Sequence, residues 1–188
     1  YSEAVIMNKM YGKSAIWELS RNANKRYFTW RAYDAELEPP LYKVDGQGYL
    51  SYGKSFTVMT ALRDLLGEEK LNIVIKTLVD KYRDIVNLEV TTIEFLNELY
   101  KVAQQEHHML IDDWFKRIVT YDLEVDDAKV TTMSNGEFEI VIDIKSKRFE
   151  TQPDGRIEEI AIDEPINIGV FSKHPSSYKK GEEPMYLK

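Results

Sequence analysis

The chain has 188 residues, 43% of them apolar and 30% charged, with a formal net charge of -7. That length can bury a real core and fits one or two domains, while the acidic balance argues against a nucleic-acid backbone as partner, which would favour a basic face. There is no cysteine, so disulfides and thiolate metal sites are excluded. No apolar run approaches the roughly 18 to 20 residues of a membrane span, and nothing resembles a signal peptide.

Residues 1 to about 119 read as helical. Ser2 to about Glu36 forms an opening helical stretch, broken near Gly12 and ended by Pro39-Pro40. Phe56, Met59, Leu62 and Leu66 recur at helical spacing, with Gly67 where a helix commonly stops. Leu71, Val74, Ile75, Leu78 and Tyr82 form a second stripe. Thr91 with Glu94 makes a capping-box pattern ahead of Ile93, Leu96, Leu99 and Ala103. Ile111, Trp114, Phe115 and Ile118 mark a further helix. After Thr120 the period becomes two. Residues 137–144 and 157–162 read as strands, Asn135-Gly136 and Pro153-Asp154-Gly155 supply turns, and Asn167 to Phe171 is expected to add a strand. The tail from Ser172 reads as loose. The fold class is therefore α+β: a helical part, 1–119, followed by a small antiparallel β-sandwich, 120–188, with a loose C-terminal tail.

The segment Gly48-Tyr49-Leu50-Ser51-Tyr52-Gly53-Lys54-Ser55 supports two incompatible readings. As a string it matches G-x-x-x-x-G-K-S, a loop whose backbone amides cradle phosphates at a helix N-terminus. Such a loop normally follows a buried apolar strand of a parallel sheet. Here the preceding residues, 38–47, are polar and broken by proline, and no βαβ rhythm occurs along the chain. The nucleotide reading is therefore the weaker one. The other reading takes the segment around Tyr52, as an aromatic-Gly-Lys-Ser turn opening a long helix.

On that second reading several segments, in order, resemble the gluzincin (aminopeptidase N-like) family of zinc aminopeptidases. Residues 1–12, YSEAVIMNKMYG, are similar to the helix after the family's third zinc ligand, and residues 48–69 to its tyrosine turn and following helix. Thr91-Thr92-Ile93-Glu94-Phe95 is similar to the start of a later helix, and Asp113-Trp114-Phe115 to the segment closing the helical catalytic domain. The resemblance implies the helical C-terminal half of a catalytic domain plus a small sandwich. It implies that Tyr52 is catalytic, its phenol stabilising the oxyanion formed when water attacks an N-terminal peptide bond. The family shows Tyr-x-Lys-Gly where this chain has Tyr52-Gly53-Lys54-Ser55. The family's His-Glu-x-x-His motif and its amine-reading Gly-x-Met-x-Asn loop are not in this sequence. Zinc is thus expected in the parent protein and not in this chain, which reads as a piece of something longer. The expected partners are the upstream zinc-binding half and, in the parent, a peptide substrate; no nucleotide is expected, and the chain is expected to be inactive alone. Residues 1–12 and 49–59 also resemble a bacterial branch fused behind permease-like membrane segments, which implies a membrane-anchored parent.

Bland readings are expected elsewhere. Lys54 reads as a surface lysine at a helix start. Asp112-Asp113, placed in a first helical turn, and Asp126-Asp127, at a strand junction, read as solvated or capping acids. His107 and His108 are adjacent and cannot share a helix face as an i, i+4 pair would, so they read as surface residues. His174 falls in the polar tail, and Glu3 lies after the position of the family's ligand glutamate. Trp17 and Trp30 read as core. The alternative function is a non-catalytic docking module in which Tyr52 is incidental.

Overall fold

The computed structural model describes residues 1–188 except Ala35, Asn87, Leu88, Asp163, Glu183 and Lys188, with Tyr186 and Leu187 described by backbone alone. Among the described residues six α-helices come first: α1 (Ser2–Tyr11), α2 (Lys13–Tyr33), α3 (Ser55–Leu66), α4 (Glu68–Tyr82), α5 (Thr92–Val102) and α6 (His108–Lys116). The strands follow: β1 (Val119–Thr132), β2 (Phe138–Thr151), β3 (Ile157–Ile160), β4 (Gly169–Val170) and β5 (Tyr186–Leu187). The fold is α+β.

The core lies among α3 to α6. Leu62, Leu71, Leu96, Leu99 and Ile111 are fully buried there, and Leu50 joins them from the turn before α3. Each such side chain contributes about 1.5–3 kcal/mol relative to exposure. Gly67 separates α3 from α4 with a backbone φ of 89°, a region an L side chain rarely adopts, so the reversal needs glycine. The Thr91 hydroxyl accepts from the Glu94 amide, and the Glu94 carboxylate accepts from the Thr91 amide, the reciprocal cap the sequence predicts.

β1 and β2 form one long antiparallel hairpin, running from Val119↔Glu150 to Thr132↔Phe138 with a bulge between Val125 and Asp127. Gly136, at φ 85°, turns its tip. β3 pairs only with the Arg148–Thr151 end of β2, and β4 and β5 form a separate two-stranded ladder. The pairing places Val125, Ala128, Val130, Ile140, Ile142 and Ile144 on one face, which looks across a cleft of about 420 Å³ at residues 166–171. Strand β1 has no counterpart in the sequence reading. Its distal half carries charges on both sides of the bulge, which breaks the two-residue alternation.

Asp113 joins the two parts. It is buried in α6 and forms ion pairs with Arg148 of β2 and with Arg117. Arg148 also donates to the Ala161 carbonyl at 2.9 Å and pairs with Glu164. The expected solvated acid is thus a buried one, in the second turn of α6, because two guanidinium groups satisfy its carboxylate. Asp112 alongside it accepts from Tyr100 and pairs with Lys116 at 2.9 Å. The tail expected to be loose packs against α2: Tyr178 is buried, its ring edge-on to Trp17 at 5.9 Å and to Phe171 at 5.9 Å. Among the described residues no helix is long and apolar enough to cross a membrane.

Candidate functional site

Tyr52 lies on a π-helical turn, Leu50–Lys54, that runs directly into α3. Isolated π turns are wider than an α turn and recur at functional sites. At its start the Leu50 and Ser51 amides both donate to the Gln47 carbonyl, at 3.1 and 3.0 Å. Gly53 explains how the turn fits against α2. A Cβ there would stand 3.0 Å from the Ala23 carbonyl oxygen and 3.1 Å from the Tyr27 amide nitrogen, tighter than ordinary contact, so glycine suits this close approach of the two backbones.

From this turn Lys54 and Tyr52 are displayed differently. Lys54 is buried, and its ammonium donates to Glu38 Oε1 at 2.8 Å. Glu38 Oε2 accepts from the Tyr27 hydroxyl at 2.8 Å and from Arg31 Nε at 2.6 Å. One buried carboxylate thus gathers three donors from α2 and the turn, which satisfies its lone pairs in a site shielded from water. The Tyr27 hydroxyl is pushed well above its ordinary value, first by burial and then by the Glu38 charge. The expectation that Lys54 is a surface lysine is therefore corrected: Glu38 gives the ammonium a buried partner.

Tyr52 is 70% exposed, with the Arg26 guanidinium 5.9 Å from its ring centroid. It lines an open groove of about 780 Å³ with Arg26, Trp30, Tyr33, Asp34 and Tyr49. Glu36 and the loop from Asp45 to Gly48 complete the wall. Tyr49 is buried and stacks on Tyr27 at 6.1 Å; burial first, and Asp34 next, raise its hydroxyl above the ordinary range. Trp30 is exposed on this wall, which corrects its assignment to the core.

The phosphate-loop string takes a different shape from a cradle. Lys54 points at Glu38, the Ser55 hydroxyl bonds back to the Ser51 carbonyl, and the Leu50 and Ser51 amides are spent on Gln47. Other candidate residues lie away from the groove. His107, just before α6, and His108, its first residue, are half-buried, with His107 Nδ1 and His108 Nε2 both enclosed, so neither is the surface residue expected. The His108 ring stands 4.9 Å from that of Tyr100. His174 caps a short 3-10 turn through Ser176, and Trp17 packs on the tail. Asp126 and Asp127 are exposed at the β1 bulge, paired with Lys145 and Lys129. Among the described residues no three His, Asp or Glu side chains converge as a metal site would require.

Sequence reasoning missed Glu38, Tyr49 and Arg26. The one available signal for Glu38 was an acid directly before two prolines, which is weak. No family model matches the chain, and no curated protein or solved structure matches it either.

Proposed function

We propose that the chain is the helical C-terminal half of a gluzincin-type zinc aminopeptidase catalytic domain, with a small β-sandwich domain behind it. On this reading Tyr52 donates its phenolic hydrogen to the oxyanion that forms as an N-terminal peptide bond is attacked. The observation that carries the reading is the presentation of Tyr52: an exposed phenol beside an open groove, on a turn anchored from below by the buried Lys54–Glu38 pair. A donor held in place before reaction stabilises developing charge without reorganising. The His-Glu-x-x-His motif is not in this sequence, so the reading assigns zinc to an upstream half, in a bacterial parent anchored in the membrane. This chain supplies the tyrosine, its support and one wall of the substrate groove, and is inactive alone.

The test joins this chain to such a zinc-bearing half and compares wild type with Tyr52→Phe on aminoacyl chromogenic substrates. The ring stays and one hydroxyl goes, so kcat should fall about 10²–10³-fold, with KM moving much less. Turnover within about threefold of wild type would make Tyr52 a packing residue. The second reading, a docking module, draws on the exposed apolar side chains of the hairpin, Val125, Val130 and Phe138 among them.

A further inference from the structure

We propose that the groove beside Tyr52 receives a lysine or arginine side chain of an extended peptide. The inference rests on the reading of Tyr52 as facing a peptide bond, yet the residues that carry it are others. Trp30 and Tyr33 sit one turn apart at the end of α2, and their rings meet edge-on with centroids 6.3 Å apart. Together with Tyr52 they put three largely exposed aromatic rings around one concavity, Tyr33 being 79% exposed. Single exposed aromatics are ordinary, whereas a cluster lining a groove marks a surface that something covers.

The charge of the groove says what covers it. Among the described residues Asp34, Glu36 and Asp45 line it against one cation, Arg26, a count of three negative charges to one positive. Arg26 is engaged over the Tyr52 ring, and among the described residues Glu36 and Asp45 have no cationic partner. The Tyr49 hydroxyl adds a polar atom buried in the wall, outside hydrogen-bond geometry with any described residue although Asp34 is close enough to act on it. A lysine or arginine side chain matches both features. Its methylene stem lies along aromatic faces, its cation interacts with their π-systems, and its head reaches the carboxylates. An apolar side chain would strip water from the acids without replacing it, and an acidic one would be repelled. Anionic lipid and nucleic-acid backbones are disfavoured for the same reason.

The experiment uses the 188-residue chain itself and fluorescein-labelled Ala-Ala-X-Ala-Ala peptides, read by anisotropy. With X lysine or arginine, affinity should exceed that for X norleucine by about tenfold, since exposed ion pairs each give about 1.5–5-fold and a cation over an aromatic ring gives a similar factor. X glutamate should bind more weakly than norleucine. The preference should shrink as salt rises from about 0.05 to 0.5 M, as screening requires. Asp34→Asn, Glu36→Gln and Asp45→Asn combined should reduce the lysine peptide to the norleucine level, while Asp126→Asn with Asp127→Asn, equally exposed acids on the hairpin, should leave the preference intact. Equal binding of lysine and norleucine peptides, absence of binding, or loss of preference in the hairpin variant would overturn the proposal. So would spermidine binding as tightly as the lysine peptide. An unchanged turnover in Tyr52→Phe would refute the catalytic role and leave these binding results as they stand.

Discussion

Removing Glu38 should be the most damaging single change near the site, and the structure gives the reason. The Glu38 side chain is 3% exposed, and it accepts from Lys54, Arg31 and Tyr27. Arg31, with its side chain 26% exposed, can turn its guanidinium to water when the carboxylate is gone. Lys54, at 9%, cannot. Glu38→Ala therefore strands an ammonium in a buried site, a change that costs about 3–5 kcal/mol. Lys54→Met is milder, because Glu38 keeps Arg31 and Tyr27; the cost is about 1–3 kcal/mol, the usual loss of a charged hydrogen bond. The double variant leaves only the Tyr27 hydroxyl unsatisfied, again about 1–3 kcal/mol, so the two single costs should exceed that of the double by at least about 1 kcal/mol. Urea unfolding followed by circular dichroism reads this directly. With a slope of about 2 kcal/mol per molar, a loss of about 4 kcal/mol moves the midpoint by about 2 M. A midpoint shift under about 0.5 M for Glu38→Ala, or strict additivity in the double variant, would refute the account of a buried, coupled pair.

Two further changes test the surroundings. Gly53→Ala should destabilise by about 1–3 kcal/mol, because the new methyl meets backbone atoms of α2 at 3.0–3.1 Å and the turn must shift to admit it; a thermal midpoint equal to wild type would show that the turn has room. Acid stability should depend on the Arg117–Glu150 pair at the junction. The Arg117 guanidinium holds the Glu150 carboxyl below the ordinary value of 4.5, so its stabilisation is present above that value and is lost as pH falls through the lower folded value. The stability gap between wild type and Arg117→Met should accordingly narrow as pH falls below 4.5, and a gap that stays constant on acidification would remove the pair from the acid response.

What could be read from the sequence was whatever depends on local pattern. The helices from Ser55 to Lys116 follow apolar spacing, and the Thr91–Glu94 cap and Gly67 stop are set by residues within a few positions of one another. The asparagine–glycine and proline–aspartate–glycine turns were legible on the same ground. Long-range pairing was not. Lys54 reads as exposed until Glu38, 16 positions earlier, is brought beneath it, and Asp113 reads as solvated until Arg148 arrives from another element. Tyr178 belongs to a polar stretch and is buried only because Trp17 and Phe171 meet it. For the candidate site, the sequence singles out Tyr52, and the structure places it, exposed, on the groove. The acids and aromatics that shape its groove come from α2 and the loop before the turn, and no spacing rule links them.

The cluster beneath the turn also bears on why Tyr52 points outward. A buried ion pair is a weak source of net stability, since apolar residues of similar volume often serve as well. Its geometry, however, is restrictive. Lys54 must enter the α2 side of the turn to reach Glu38, and Gly53 fixes how near the turn lies to Ala23 and Tyr27. With both constraints in place, the residue before Gly53 is left on the solvent side, where Arg26 meets its ring. A reversed turn would bury the Tyr52 phenol and expose Lys54, leaving Glu38 without a donor it needs. The coupling measured between Glu38 and Lys54 is therefore also a measure of how firmly the phenol is held at the groove. On the oxyanion reading, weakening the pair should lower turnover through Tyr52 even though neither Glu38 nor Lys54 faces the groove.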